Sequence, residues 1–127
     1  MNDYMGTNTR FYKFNTQIDN TYKAFFKYSD IGGKLGASDA FMFLDERPDG
    51  PSHLNDGYFN LFPNSLDDRP AVNHGQSSSF TYADGHAQLH QWKDTYLLPT
   101  GGSVSSVDHQ WLVAHATALN NWHAWYF

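Results

Sequence analysis

Apolar and polar positions alternate over short runs in this chain, and polar, glycine- and proline-bearing stretches separate the runs. Residues 22–28, 40–44, 58–62, 79–83 and 86–92 carry the strand-like pattern, rich in aromatic and branched side chains. Residues 31–36 (IGGKLG) read as a turn, while 47–56 (RPDGPSHLND) and 64–76 (NSLDDRPAVNHGQ) read as long polar loops. The stretch SSFTYADGHAQLHQW predicts a hairpin. Asp84-Gly85 suits a two-residue type I′ turn, in which both central residues take positive φ. That turn would set Ala83 opposite His86, Tyr82 opposite Ala87, Thr81 opposite Gln88 and Phe80 opposite Leu89. Phe80, Tyr82, Ala87 and Leu89 would then share one face, with Ser79, Thr81, His86, Gln88 and His90 on the other.

Farther along, Ser105 and Asp108 match the Ser-x-x-Asp form of a capping box. Val107, Trp111, His115 and Ala118 follow at helical spacing, flanked by Leu112 and Leu119, which predicts a short amphipathic helix over 106–119. The tail WHAWYF places four aromatics in six residues, either to dock on the sheet or to stand as a sticky end. With 127 residues the chain suffices for one domain, taken as 1–127. The fold expected is α+β, a small antiparallel sheet with a C-terminal helix.

Composition narrows the chemistry. A net charge of -5 is a poor match for a phosphate backbone, so nucleic acid is not an expected partner. The absence of cysteine excludes disulfides, thiolate zinc sites and cysteine nucleophiles. No apolar run approaches a membrane span, and no export signal stands at Met1. The 10 Phe, 8 Tyr and 4 Trp favour strands and a sizeable core.

Seven histidines invite a metal reading, but their spacing argues against it. His86 and His90 on one strand face would stand roughly 13 Å apart, too far to share an ion, and His109 and His115 point to different sides of a helix. Oxygen ligands are better placed. Asp45, Glu46, Asp49, Asn55 and Asp56 fall within twelve residues, in an irregular loop whose carbonyls can also turn toward a hard cation such as calcium. The bland alternative is a solvated acidic loop.

A nucleophile elbow is absent. The serines 77–79 after His74, with Asp84 beyond, make a triad only if the fold brings them together. A carbohydrate-binding module resting on Trp92, Trp111, Trp122 and Trp125 is weaker, because Trp92 and Trp111 fall at positions expected in the core.

From His74 to Gly85 the sequence reads histidine, nine residues, Asp-Gly. This resembles the His-x9-Asp-Gly domain found near the C-terminal end of many prepilin-type proteins, relatives of type II secretion pseudopilins and type IV pilins. DGHAQLHQW is similar to the family's Asp-Gly-His-strand-Trp ending. Phe43-Leu-Asp-Glu46 with Asn55-Asp-Gly57-Tyr-Phe resembles its Phe-x-Asp-Glu segment, and Met1 to Gly6 (MNDYMG) resembles an internal stretch of those proteins.

The resemblance covers, in pieces, about residues 1–115. It implies a pseudopilin-like globular domain lacking the family's long N-terminal helix: the head of a cell-envelope protein, structural or assembling, with protein partners or self-association. Calcium is implied too. Only Asp84 carries over from the family's calcium loop, so Asp45, Asp49 and Asp56 are the preferred oxygen source. His74, Asp84 and Gly85 are implied as structural. A rival from another class is a small metal-dependent hydrolase, in which Asp45, Asp49 or Asp56 holds a metal-bound water and His53 or His74 acts as base on an ester or lactone.

Overall fold

The computed structural model describes residues 25, 28–33, 35–47, 59, 61, 68–73, 75–93 and 105–116. Its ordered elements are strands β1 (Phe41–Leu44), β2 (Ser77–Tyr82) and β3 (Ala87–Gln91) and helix α1 (Val107–Ala116), preceded by a 3-10 turn at Tyr28–Asp30. The strands form one antiparallel sheet in the order β1-β2-β3. A small three-stranded antiparallel sheet with a C-terminal helix makes this an α+β domain. The strands expected over 22–28 and 58–62 lie largely outside the described residues. Of those runs, Phe25, Phe59 and Leu61 are described and buried, while Tyr28 is exposed and belongs to the 3-10 turn instead of a strand. The tail beyond 116 also lies outside. No helix among the described residues is long and apolar enough to cross a membrane.

The hairpin exists, but its turn is longer by one residue than the Asp-Gly pair predicts. Tyr82, not Ala83, faces His86: the Tyr82 amide donates to the His86 carbonyl at 2.9 Å, and the Gly85 amide donates to the Tyr82 carbonyl at 3.0 Å. The loop is therefore Ala83-Asp84-Gly85. Only Gly85 has positive φ (93°); Asp84 does not. This is the pattern of a type I turn followed by a glycine bulge. Its cause is tertiary. The Ala83 and Asp84 amides donate to the carbonyls of Ala40 and Ala37 at 2.9 and 3.2 Å, which docks the loop on the turn before β1. Asp84 Oδ1 in addition accepts the His86 amide at 3.1 Å, a local bond that favours aspartate in turns.

One extra loop residue shifts every pair on β3. Phe80 faces Gln88, Ser79 faces Leu89 and Ser78 faces His90. A one-residue shift exchanges the two faces of a strand, so the expected core residues Ala87 and Leu89 are exposed and His90 turns inward. Leu89 is 58% exposed while Phe80 is fully buried. Because Gly85 sits at φ 93°, Gly85→Ala is expected to cost about 1–2 kcal/mol, read as a lower urea midpoint with an unchanged slope.

An irregularity does similar work on β1. Phe41 pairs with Tyr82, Phe43 with Thr81 and Leu44 with Phe80, with a bulge between Phe41 and Phe43. A bulge sets two residues against one and breaks the alternation. Phe41 and Leu44 therefore both face the helix side, and Phe43 stands 53% exposed on the other. The main core comprises Phe41, Phe59, Leu61, Phe80, Tyr82, Trp92, Leu112 and Ala116, between sheet and helix. A smaller cluster of Phe25, Leu35 and Ala40 supports the turn before β1.

Helix α1 begins one residue later than the capping box suggests. Ser106 is the N-cap, its Oγ accepting the His109 amide at 3.0 Å. Its buried stripe is Asp108, His109, Leu112 and Ala116 rather than the one through Val107, which is 60% exposed. The rotation follows from Asp108. Instead of reaching back toward the cap, its Oδ2 accepts the Lys93 amide at 2.8 Å, fastening the start of the helix to the residues just after β3.

Candidate functional site

Two groups of polar side chains stand out. The first is the hairpin tip. Asp84 Oδ1 lies 2.6 Å from His86 Nδ1, and the His86 ring stacks on Tyr82 with centroids 4.3 Å apart and planes 3° apart. The His86 amide and then its ring hold the Asp84 carboxyl below the usual carboxylate range. Burial, with Asp39 nearby, raises the Tyr82 phenol. Asp84 and Gly85 thus act on the backbone of the turn.

The second group lies under α1. The register that turns His90 inward also sets it against Trp111, with ring centroids 3.6 Å apart and planes 18° apart. His115 stacks on Trp111 at 4.1 Å and 26°. Its Nδ1 lies 2.7 Å from the Trp111 carbonyl, so that nitrogen carries the proton and donates. Trp92 and Phe80 meet His90 edge-on. Asp108 Oδ1 lies 3.9 Å from His90 Nε2, outside hydrogen-bond reach.

Burial lowers the His90 pKa, with His115 and Lys93 acting in the same direction and Asp108 opposing them. The sign for stability follows. As pH falls through about 6.5 the unfolded chain takes up a proton that folded His90 refuses. His90 therefore contributes stability above that pH and loses it progressively below, until the folded ring also titrates. Thermal midpoints should fall between about pH 7.5 and pH 5, and the fall should be shallower in His90→Phe.

Ser78 faces His90 across the ladder, and Asp108 lies beyond the ring, so three residue types of a hydrolytic triad come close together. The hydroxyl is nevertheless committed elsewhere. It donates its proton to the Ala71 carbonyl and accepts the Trp92 indole N–H at 2.8 Å. A triad needs that proton directed at the imidazole, so Ser78 serves to tie residue 71 and Trp92 together.

Of the acidic residues expected to bind calcium, Asp45 and Asp84 are described. Asp45 is exposed just after β1, and its carbonyl accepts the Ala71 amide at 2.6 Å. Asp84 lies at the opposite end of β1, beside Ala37 and Ala40. About five residues of extended chain separate the two ends, roughly 16 Å, so the pair cannot share one ion. Asp49 and Asp56, like the histidines His53 and His74 of the hydrolase alternative, lie outside the described residues. Among the described residues no three His, Asp or Glu side chains are grouped to hold a metal ion.

The His90–Trp111–His115 stack went unread in the sequence because it depends on the loop length. Its available signal was weak: two aromatic rings four apart on a helix, Trp111 and His115. Comparisons with protein-family models, with curated proteins and with solved structures found no match to this chain.

Proposed function

We propose that this chain is the globular head of a prepilin-type, pseudopilin-like protein of the cell envelope, with a structural or assembly role rather than a catalytic one. The observation that supports it most is the use of Asp84-Gly85. These residues of the His-x9-Asp-Gly stretch shape the β2–β3 hairpin, Gly85 through its positive φ and Asp84 through its bonds to His86. That is a scaffolding role, as the resemblance implies. The hydrolase alternative rests on His53, His74, Asp49 and Asp56 outside the described residues, and on Asp45, which is exposed.

The test is capture. The immobilised chain, incubated with a detergent extract of the source organism's envelope, should enrich prepilin-type subunits identified by mass spectrometry. Enrichment no greater than with the same chain immobilised after denaturation would overturn the proposal. Hydrolysis from a panel of esters and lactones, abolished by EDTA and restored by one cation, would replace it with the metal-dependent enzyme.

A calcium ion in this proposal belongs to the loop of Asp45, Asp49 and Asp56, since Asp84 Oδ1 is occupied by His86. Calcium added after EDTA should then raise the thermal midpoint by several degrees. The rise should persist in Asp84→Ala and vanish in Asp45→Ala. A midpoint indifferent to calcium removes the ion from the proposal.

A further inference from the structure

Among the described residues, strand β3 is an edge of the sheet, paired on one side only, with β2. The ladder fixes which of its backbone groups are used. The Tyr82 amide bonds the His86 carbonyl, and the Trp92 amide bonds the Gln76 carbonyl. Alternation between those two points makes His86, Gln88, His90 and Trp92 the residues that exchange hydrogen bonds with β2. Ala87, Leu89 and Gln91 therefore direct their N–H and C=O groups away from the sheet, and no described residue bonds them.

Proteins protect such edges with charge, proline, bulges or a covering element. Strand β3 reads AQLHQ, without Lys, Arg, Asp, Glu or Pro. All its side chains except that of His90 are exposed, and Leu89, at its centre, is 58% exposed.

The three outward residues are symmetric about Leu89. A two-fold axis through that position pairs Leu89 with Leu89 of a second copy, and Ala87 with Gln91 in both senses. Every outward donor then meets an outward acceptor. The same axis brings the two Leu89 side chains together on the face away from α1, where directly opposed apolar residues support pairing. On the helix face it sets Gln88 beside His90 of the other copy, so no like charges oppose each other. We infer that β3 is a self-association edge, at which two copies of this chain join antiparallel into one continuous six-stranded sheet. The inference is independent of the prepilin-type proposal and stands or falls separately from it.

A five-residue edge is small for a protein interface, so association is to be read at high concentration. Sedimentation equilibrium up to about 1 mM should show a mass rising toward twice the 14.5 kDa chain. Leu89→Lys, which opposes two cations at the axis, should weaken association at least about tenfold. Phe43→Lys, on the same sheet face at the opposite edge, should leave it unchanged.

Amide exchange by NMR gives a readout that needs no variant. The Ala87, Leu89 and Gln91 amides should exchange freely in dilute solution and slow as concentration rises, while the Gln88 and His90 amides, bonded to β2, stay protected throughout. A chain that remains monomeric at about 1 mM overturns the inference. So does a dimer in which Leu89→Lys associates normally or those three amides stay unprotected.

Discussion

Phe80→Ala is expected to remove about 3–5 kcal/mol of stability, while Leu89→Ala, nine residues on, should change stability by less than about 0.5 kcal/mol at concentrations where the chain is monomeric. Phe80 is fully buried at the centre of the sheet, and its ring meets Phe41, Trp92 and Trp111 edge-on at 5.3 to 6.0 Å. Deleting it loses the transfer of a large apolar side chain and leaves a hollow that rings from both strands and helix cannot collapse into without breaking their mutual geometry. Leu89 makes no comparable contribution because it faces water. The contrast discriminates between registers. In the two-residue hairpin Phe80 and Leu89 would be partners on one buried face, and both substitutions would be severe. Urea midpoints of the two variants, measured at matched slope, settle which pairing exists. A large loss for both would refute the three-residue loop.

The hairpin shows what was legible in the sequence and what was not. Alternation placed β2 and β3 to within one or two residues, and Asp84-Gly85 located the turn. The loop length escaped because it is decided by Ala37 and Ala40, more than forty residues earlier, whose carbonyls take the loop amides. No short-range turn preference contains that information, and an error of one residue reverses a face. The bulge at 41–43 is the same kind of event on β1, since a strictly alternating FMFL would have put Phe41 and Phe43 together.

The helix was legible as a helix, but its rotation was not. Counting apolar residues favours the stripe through Val107, and a bond from Asp108 to the backbone of Lys93 turns the helix away from it. The candidate site inherits the register error. His90 was assigned to the solvent face and Trp111 to the core-facing stripe of the helix; Trp111 does pack against the core, and the corrected register brings His90 into stacking contact with it. A buried aspartate is what the sequence conceals best, because polar residues are read as outward by default.

Asp108→Ala is the second substitution with a large expected effect, a loss of about 2–3 kcal/mol. Asp108 is 1% exposed, so its removal leaves the Lys93 amide without the oxygen that meets it at 2.8 Å. It also takes a carboxylate from the first turn of α1, where the helix dipole favours negative charge. Asp108→Asn retains a carbonyl oxygen at that point and should recover about half of the loss.

The two substitutions should agree in a second readout that packing alone would not move. Asp108 is the charge that opposes the depression of the His90 pKa by burial, His115 and Lys93. With the carboxylate gone, the imidazolium loses its nearby anion and the His90 pKa should fall further, in Asn and Ala variants alike, as followed by NMR titration of the ring. The stability attributable to a neutral His90 would then be lost over a pH window reaching lower than in the parent chain. An unchanged or raised His90 pKa in Asp108→Asn would mean that the carboxylate does not face the ring, and that Asp108 holds the helix without tuning the histidine beneath it.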